Sequence, residues 1–263
     1  MIRKIGIALG CGGARGLAHL GVLKVLHRGG INFDCLVGAS MGSFLGALFA
    51  LGYDLGEIEK EALSFSKKKA IRTFLSVSNP KIALLGNKNI KKYIEGFLKD
   101  KKFSDTKLPL GITATDLASG EQVVIKSGSL VDAVMASISV PGIFPPVKIG
   151  DKYYIDGGVV NPTPVDVVKE LGADVAIGVD LVMQRTIRLE NPGIFTTLMQ
   201  SYEIIRTQGV KYNLNKASKN IIIIKPKLRG TIDSFKFYDI DKFIKSGEEA
   251  AKEALPEIRK ALG

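Results

Sequence analysis

The 263-residue chain carries 37 Lys/Arg against 26 Asp/Glu, a formal net charge of +11, and 46% of its residues are hydrophobic. That length and apolar content suffice for one sizeable core, and the absence of any repeat or low-complexity tract excludes a solenoid or an unstructured linker chain. Its two cysteines, Cys11 and Cys35, lack framework-like spacing, which excludes a disulfide scaffold and suits free thiols in a reducing compartment.

From the N-terminus, the apolar run Ile5–Leu9 predicts a strand, and Leu17–His27, with leucines at 17, 20, 23 and 26, predicts a helix. Between them lies Gly10-Cys11-Gly12-Gly13-Ala14-Arg15-Gly16. A glycine-rich turn from strand to helix exposes backbone N–H groups that serve a phosphate or the developing oxyanion of an ester under attack. The dinucleotide reading is weak: counted from Gly10, its fingerprint needs glycine where Arg15 stands, and no G-K-[ST] comes after it. The basic N-terminus and its apolar run mimic a signal peptide, but the run reads better as a first strand leading into the glycine loop, where Arg15 interrupts the apolar character. Cys35–Val37 predicts the second strand and Ser43–Ala50 the next helix, joined by Gly38-Ala39-Ser40-Met41-Gly42. That is the context of a nucleophile elbow, in which a sharp strand-to-helix turn lifts a serine hydroxyl clear of the backbone. Ser40 is the candidate nucleophile. Cys35 to Tyr53 is uncharged and reaches membrane-spanning length, but its four glycines and two serines suit a buried strand-turn-helix.

Further on, Asp54-x-x-Glu57 and Ser129-x-x-Asp132 resemble capping boxes, the second opening a helix over Leu130–Ala136. Leu108–Thr115 predicts a strand, and Val147–Ile149, a Gly150-Asp151 turn and Lys152–Ile155 predict a hairpin that delivers Asp156-Gly157-Gly158. An aspartate at a strand end beside two conformationally free glycines can be aimed at a neighbouring loop. Asn161-Pro162 and Pro164 open a helix over Val165–Leu171, succeeded by a strand over Asp174–Leu181, a β-branched strand Ile221–Ile224 and an amphipathic helix Lys242–Leu262. This alternation predicts one layered α/β domain. Only two histidines exist, His19 and His27, and neither comes after Ser40, so the α/β-hydrolase order of serine, acid and histidine is excluded. His19 shares a helical face with Val22, Leu23 and Leu26 and reads as a core residue. His27 reads as a helix C-terminal residue, which leaves a carboxylate as the base for Ser40.

In this order the glycine loop, the serine elbow and Asp156-Gly157-Gly158 resemble the patatin-like phospholipases, in particular compact bacterial members related to the neuropathy target esterase catalytic domain. The resemblance runs from about Lys4 to Leu181, with a looser echo from Ile221 to Leu262, and includes Ala136-Ser137-Ile138-Ser139-Val140-Pro141-Gly142-Ile143-Phe144-Pro145-Pro146, similar to the family's segment before its aspartate. It implies a three-layer α/β/α sandwich with a mostly parallel central sheet, one patatin-like domain over residues 1–263, and a Ser-Asp dyad of Ser40 and Asp156. It further implies an oxyanion hole at Gly12 and Gly13, with Met41 N–H as a lesser donor by analogy with other elbows. Arg15 is expected either to brace the loop or to meet a lipid phosphate. Cys11 departs from the family's usual glycine; if that position needed a positive φ, a side chain there would be unfavourable and its amide lost as a donor.

The expected activity is hydrolysis of phospholipid, lysophospholipid or related acyl esters. An acyltransferase or thioesterase using the same dyad is the alternative enzyme, and a non-catalytic lipid-binding module the alternative class. No clustered ligand set suggests a metal, and dyad chemistry needs no cofactor. Phe65 to Asp105 holds eleven Lys/Arg against three Asp/Glu, most of the chain's excess charge, around the apolar stretches 71–77 and 82–85. The pattern suits a lid-like segment touching an anionic membrane. A solvated basic surface is the plain alternative, and nucleic acid is the weaker reading because no recognisable binding module accompanies the patch. The expected location is the cytoplasm, with peripheral membrane contact.

Overall fold

The structure, a computed structural model, describes residues 3–74, 76, 79, 81–182, 193–216, 220–228 and 239–263. Five strands run parallel at its centre: β1 (Ile5–Leu9), β2 (Cys35–Ala39), β3 (Leu110–Asp116), β7 (Val175–Val179) and β8 (Ile221–Ile224). The remaining three, β4 (Gln122–Ile125), β5 (Val147–Ile149) and β6 (Lys152–Asp156), add antiparallel pairing, and the sheet order is β5-β6-β3-β2-β1-β7-β8 with β4 on β3. Central parallel strands bury both faces, which is why their sequences read as continuous apolar runs.

Alternation along β1 sorts the two faces. Ile7 and Leu9 join Leu36, Ile112, Ile177 and Val179 in the larger core, packed under α1 (Ala18–Arg28), α2 (Met41–Leu51), α6 (Leu130–Ser137) and α9 (Ile240–Leu262). Ala8 turns the other way, with Cys35, Val37 and Ala176, against Val165, Val167 and Val168 of α7 (Val165–Glu170). Helices on both faces of a mostly parallel sheet make the expected α/β/α sandwich. The predicted elements appear with ends shifted by a few residues, and both capping signals hold: Asp54 accepts from Glu57 N–H and Ser129 from Asp132 N–H.

Three helices were not among the predicted elements. These are α4 (Lys67–Phe74), α5 (Lys88–Leu98) and α8 (Ile194–Lys216), whereas α3 (Leu55–Leu63) is announced by its cap. Ile90, Ile94 and Leu98 bury one stripe of α5 in the core, so the basic segment is partly structural. Of the apolar stretch 71–77, Leu75 and Val77 lie outside the described residues.

Candidate active site

β2 ends at Ala39 and α2 begins at Met41, so Ser40 must turn the chain by itself. It does so at φ 54° and ψ −125°, a conformation costly for a side-chain-bearing residue and characteristic of a nucleophile elbow. The turn is pinned on both sides: Ser40 N–H donates to Ser137 Oγ at 2.8 Å, and Ser40 C=O accepts from Ser43 Oγ at 2.6 Å. The flanking glycines are steric requirements, because a Cβ on Gly42 would collide with the Leu9 carbonyl and one on Gly38 with the Ser43 backbone.

Asp156 closes β6 facing the elbow and is 1% exposed. Its N–H donates to Ser139 C=O at 2.9 Å, its C=O accepts from Thr115 Oγ1 at 3.0 Å, and its Oδ1 accepts from Gly158 N–H at 2.7 Å. The Ser137-Ile138-Ser139 segment therefore holds the backbones of both Ser40 and Asp156. Oδ2 is buried with no hydrogen bond of standard geometry among the described residues, although the Ser40 and Tyr202 hydroxyls come near enough to lower the carboxyl pKa. Burial acts the other way and dominates, raising the pKa above the usual carboxylate value. A loose serine-to-base contact is ordinary in a ligand-free site and tightens around substrate.

Across the cavity, Gly13 takes φ 56°, the left-handed conformation glycine permits, and opens a 3-10 turn over Gly13–Leu17. Neither Gly12 N–H nor Gly13 N–H has an acceptor among the described residues. Cys11 resolves differently from the sequence expectation: its φ is not positive, and its amide is unavailable because it donates to Pro162 C=O at 2.9 Å. Arg15 is fully buried, pairing with Glu203 at 3.0 Å and donating from Nε to Gly12 C=O at 3.4 Å, so it sits against the loop and away from any solvent-side phosphate. His19 is buried too, with Nε2 2.6 Å from Gly10 C=O; burial lowers its pKa to about 4, leaving a neutral ring that braces the loop.

Sequence reasoning missed Tyr202, Glu203 and Arg206, all on α8 and all lining the same cavity. Their signal was the spacing of buried Met199, Glu203, Arg206 and Val210, a helical stripe obscured by two charges within it. The cavity has about 180 Å³ of free volume, with Gly12, Gly13, Ser40 and Asp156 in its wall. Besides these, Glu61 and the polar α8 residues, most of the wall is apolar and aromatic: Leu17, Leu45, Leu48 and Ile58, with Phe44, Phe65, Tyr93 and Phe97 packed in edge or tilted contacts. An apolar cleft with a few convergent polar groups suits a ligand with an apolar body and one reacting polar centre.

Fold and site together define an α/β protein of the nucleophile-elbow class, with its serine set against an aspartate. A family model described as Patatin-like phospholipase matches residues 7–169, more than half of the chain, and the chain belongs to that family. An uncharacterised NTE family protein of Mycobacterium tuberculosis is 29% identical over 286 residues, covering 96% of this chain and 46% of that protein. Patatin-like phospholipase domain-containing protein 6 of Homo sapiens is 33% identical over 185 residues, covering 68% of this chain and 13% of that protein. The chain thus spans less than half the length of these relatives. VipD from Legionella pneumophila shares the fold with a TM-score of 0.55 at 14% identity, over 97% of this chain and 67% of that one. Family membership supports lipid acyl hydrolase activity in general.

Proposed function

We propose that this chain, as one patatin-like domain over residues 1–263, hydrolyses lipid acyl esters with Ser40 as nucleophile and Asp156 as base. The observation that carries the reading is the elbow serine facing a buried, incompletely paired carboxylate, with two unspent glycine amides on the same cavity. Ser40 Oγ attacks the acyl carbonyl as its proton passes to Asp156. Gly12 and Gly13 N–H groups donate to the tetrahedral oxyanion, which collapses as the leaving alcohol takes the proton back. Water, deprotonated by Asp156, then attacks the acyl-enzyme; the fatty acid is released as the proton passes from Asp156 to the departing Ser40 Oγ. Desolvation makes Asp156 a stronger base than an exposed carboxylate, and the apolar wall accommodates an acyl chain.

The testing experiment is intact-mass and peptide analysis after fluorophosphonate treatment, with a lipid panel run alongside. A single adduct on Ser40 and free fatty acid from phospholipid or lysophospholipid are expected. No adduct would leave a binding module, and acyl chains appearing on an added alcohol in preference to water would point to transfer.

The reading extends to the membrane. The basic segment forms one wall of the cavity through Phe65, Phe74, Leu85 and Tyr93, while along it Ile71, Ile82 and Leu84 are exposed, as are Lys68, Lys81, Lys88 and Lys92. Exposed apolar side chains interspersed with exposed lysines along one segment suit docking to an anionic leaflet, at about 1 kcal/mol per lysine near the surface. Reversing those four lysines to Glu should release the protein from anionic vesicles in sedimentation while sparing hydrolysis of a small soluble ester. Unchanged sedimentation would return the segment to a solvated surface.

A further inference from the structure

From Gly10 to Gly12 the glycine loop spends every polar backbone group except Gly12 N–H. Gly10 N–H donates to Val179 C=O and Cys11 N–H to Pro162 C=O, while Gly10 C=O faces His19 Nε2. The carbonyls of Cys11 and Gly12 remain in this stretch, and guanidinium groups take both: Arg206 Nη2 donates to Cys11 C=O at 2.5 Å and Arg15 Nε to Gly12 C=O at 3.4 Å. Among the described residues all peptide bonds are trans, so the C=O and N–H of each unit point in opposite directions. Cys11 C=O shares its unit with Gly12 N–H, and Gly12 C=O shares its unit with Gly13 N–H. Fixing those carbonyls against the guanidinium groups turns the two amides away from them, on loop residues that line the cavity.

We propose that Arg206 and Arg15, coupled through Glu203, are positioning residues that aim the Gly12 and Gly13 N–H groups at the tetrahedral oxyanion; this rests on the acyl-ester reading above. Glu203 ties the clamp together, accepting from Arg15 at 3.0 and 3.2 Å and from Arg206 at 3.0 Å. A hydrogen bond into each carbonyl also polarises its peptide unit, making the attached N–H a better donor. As a stabilising device alone the triad is a poor choice. Its three charges are almost fully buried, and Arg15 Nη1 and Arg206 Nε lack hydrogen-bond partners among the described residues. Aiming two amides accounts for both guanidinium groups.

The test compares Arg206→Met, Arg206→Lys and Glu203→Gln with wild type on a soluble ester and on two ketones of one chain length. A trifluoromethyl ketone forms an oxyanion on Ser40, whereas its methyl isostere binds only as ground state. Because losing one oxyanion donor costs about 10²–10³ in kcat, Arg206→Met should lower kcat and trifluoromethyl ketone affinity together by at least roughly tenfold. KM and methyl ketone affinity should stay within about twofold, and Lys should recover part of the loss. A folded Arg206→Met with wild-type kcat, or equal losses toward both ketones, overturns the clamp. If Arg206→Met does not fold, Glu203→Gln, which keeps the volume and removes the charge, must show the same split or the clamp is wrong. A wild-type protein that takes no fluorophosphonate on Ser40 sinks the acyl-ester reading itself; a labelled wild type with unmoved variants sinks only the clamp.

Discussion

Ser40→Ala and Asp156→Asn are each expected to lower ester turnover by about 10⁴-fold or more, because in the proposed mechanism one deletes the nucleophile and the other its proton acceptor. Both should remain folded, since the backbone hydrogen bonds that hold the two positions come from Ser137, Ser139 and Thr115. Burial, ahead of the opposing contacts of Ser40, Gly158 and Arg206, raises the Asp156 pKa above its usual value. Catalysis needs the ionised form, so the acid limb of kcat/KM should lie above the ordinary carboxylate range of about 3.9. The stability sign is opposite. A carboxyl with its folded pKa raised favours folding most when protonated, below its unfolded pKa, and that contribution is lost as pH rises through the folded pKa. Above the folded pKa the ionised state is therefore the less stable one, and there Asp156→Asn should match or exceed wild type in Tm. A folded Asp156→Asn enzyme with near-wild-type turnover, alongside a His19→Ala variant that loses it, would make the histidine the base.

How much of the site was legible depended on whether a residue's role left a local mark. The elbow, the glycine loop and Asp156 did, because each needs a fixed residue type at a turn between apolar runs. The clamp on α8 did not. Glu203 and Arg206 occupy buried positions of α8, and charge on the inward face contradicts the periodicity by which helices are recognised. Residues some 190 positions from the loop declare their role only when the fold brings them to Cys11 and Gly12. α5 failed differently: Ile90, Ile94 and Leu98 form a readable stripe, but the lysines between them present the segment as surface. Arg15 shows the same limit from the other side. Its position in the motif is plain, whereas its partner lies on an element that pattern does not predict.

Gly42→Ala should be the most damaging single methyl in the site. Its Cβ would press into the Leu9 carbonyl and the Gly10 oxygen, rigid backbone at the end of the central strand, and no flexible side chain can yield. Relief requires moving the start of α2 or the end of β1, which carry Ser40 and the glycine loop respectively. Overpacking of this kind costs about 3 kcal/mol. At roughly 2–4 °C per kcal/mol for a chain of this size, Tm should fall by about 6–12 °C. Because Ser40 and the Gly12 and Gly13 amides shift relative to one another, the proposed mechanism predicts that kcat falls by about 10²-fold as well, the cost of a misplacement near 1 Å. Gly96→Ala makes the same chemical change on α5, where an added Cβ meets nothing within 4 Å. There alanine's helix propensity should leave the protein unchanged or more stable by about 0.5–1 kcal/mol, with turnover intact. Equal melting temperatures and equal kcat for the two variants would mean that the strand and the elbow helix do not approach as closely as this geometry requires, and the placement of Ser40 against Gly12 and Gly13 would fall with it.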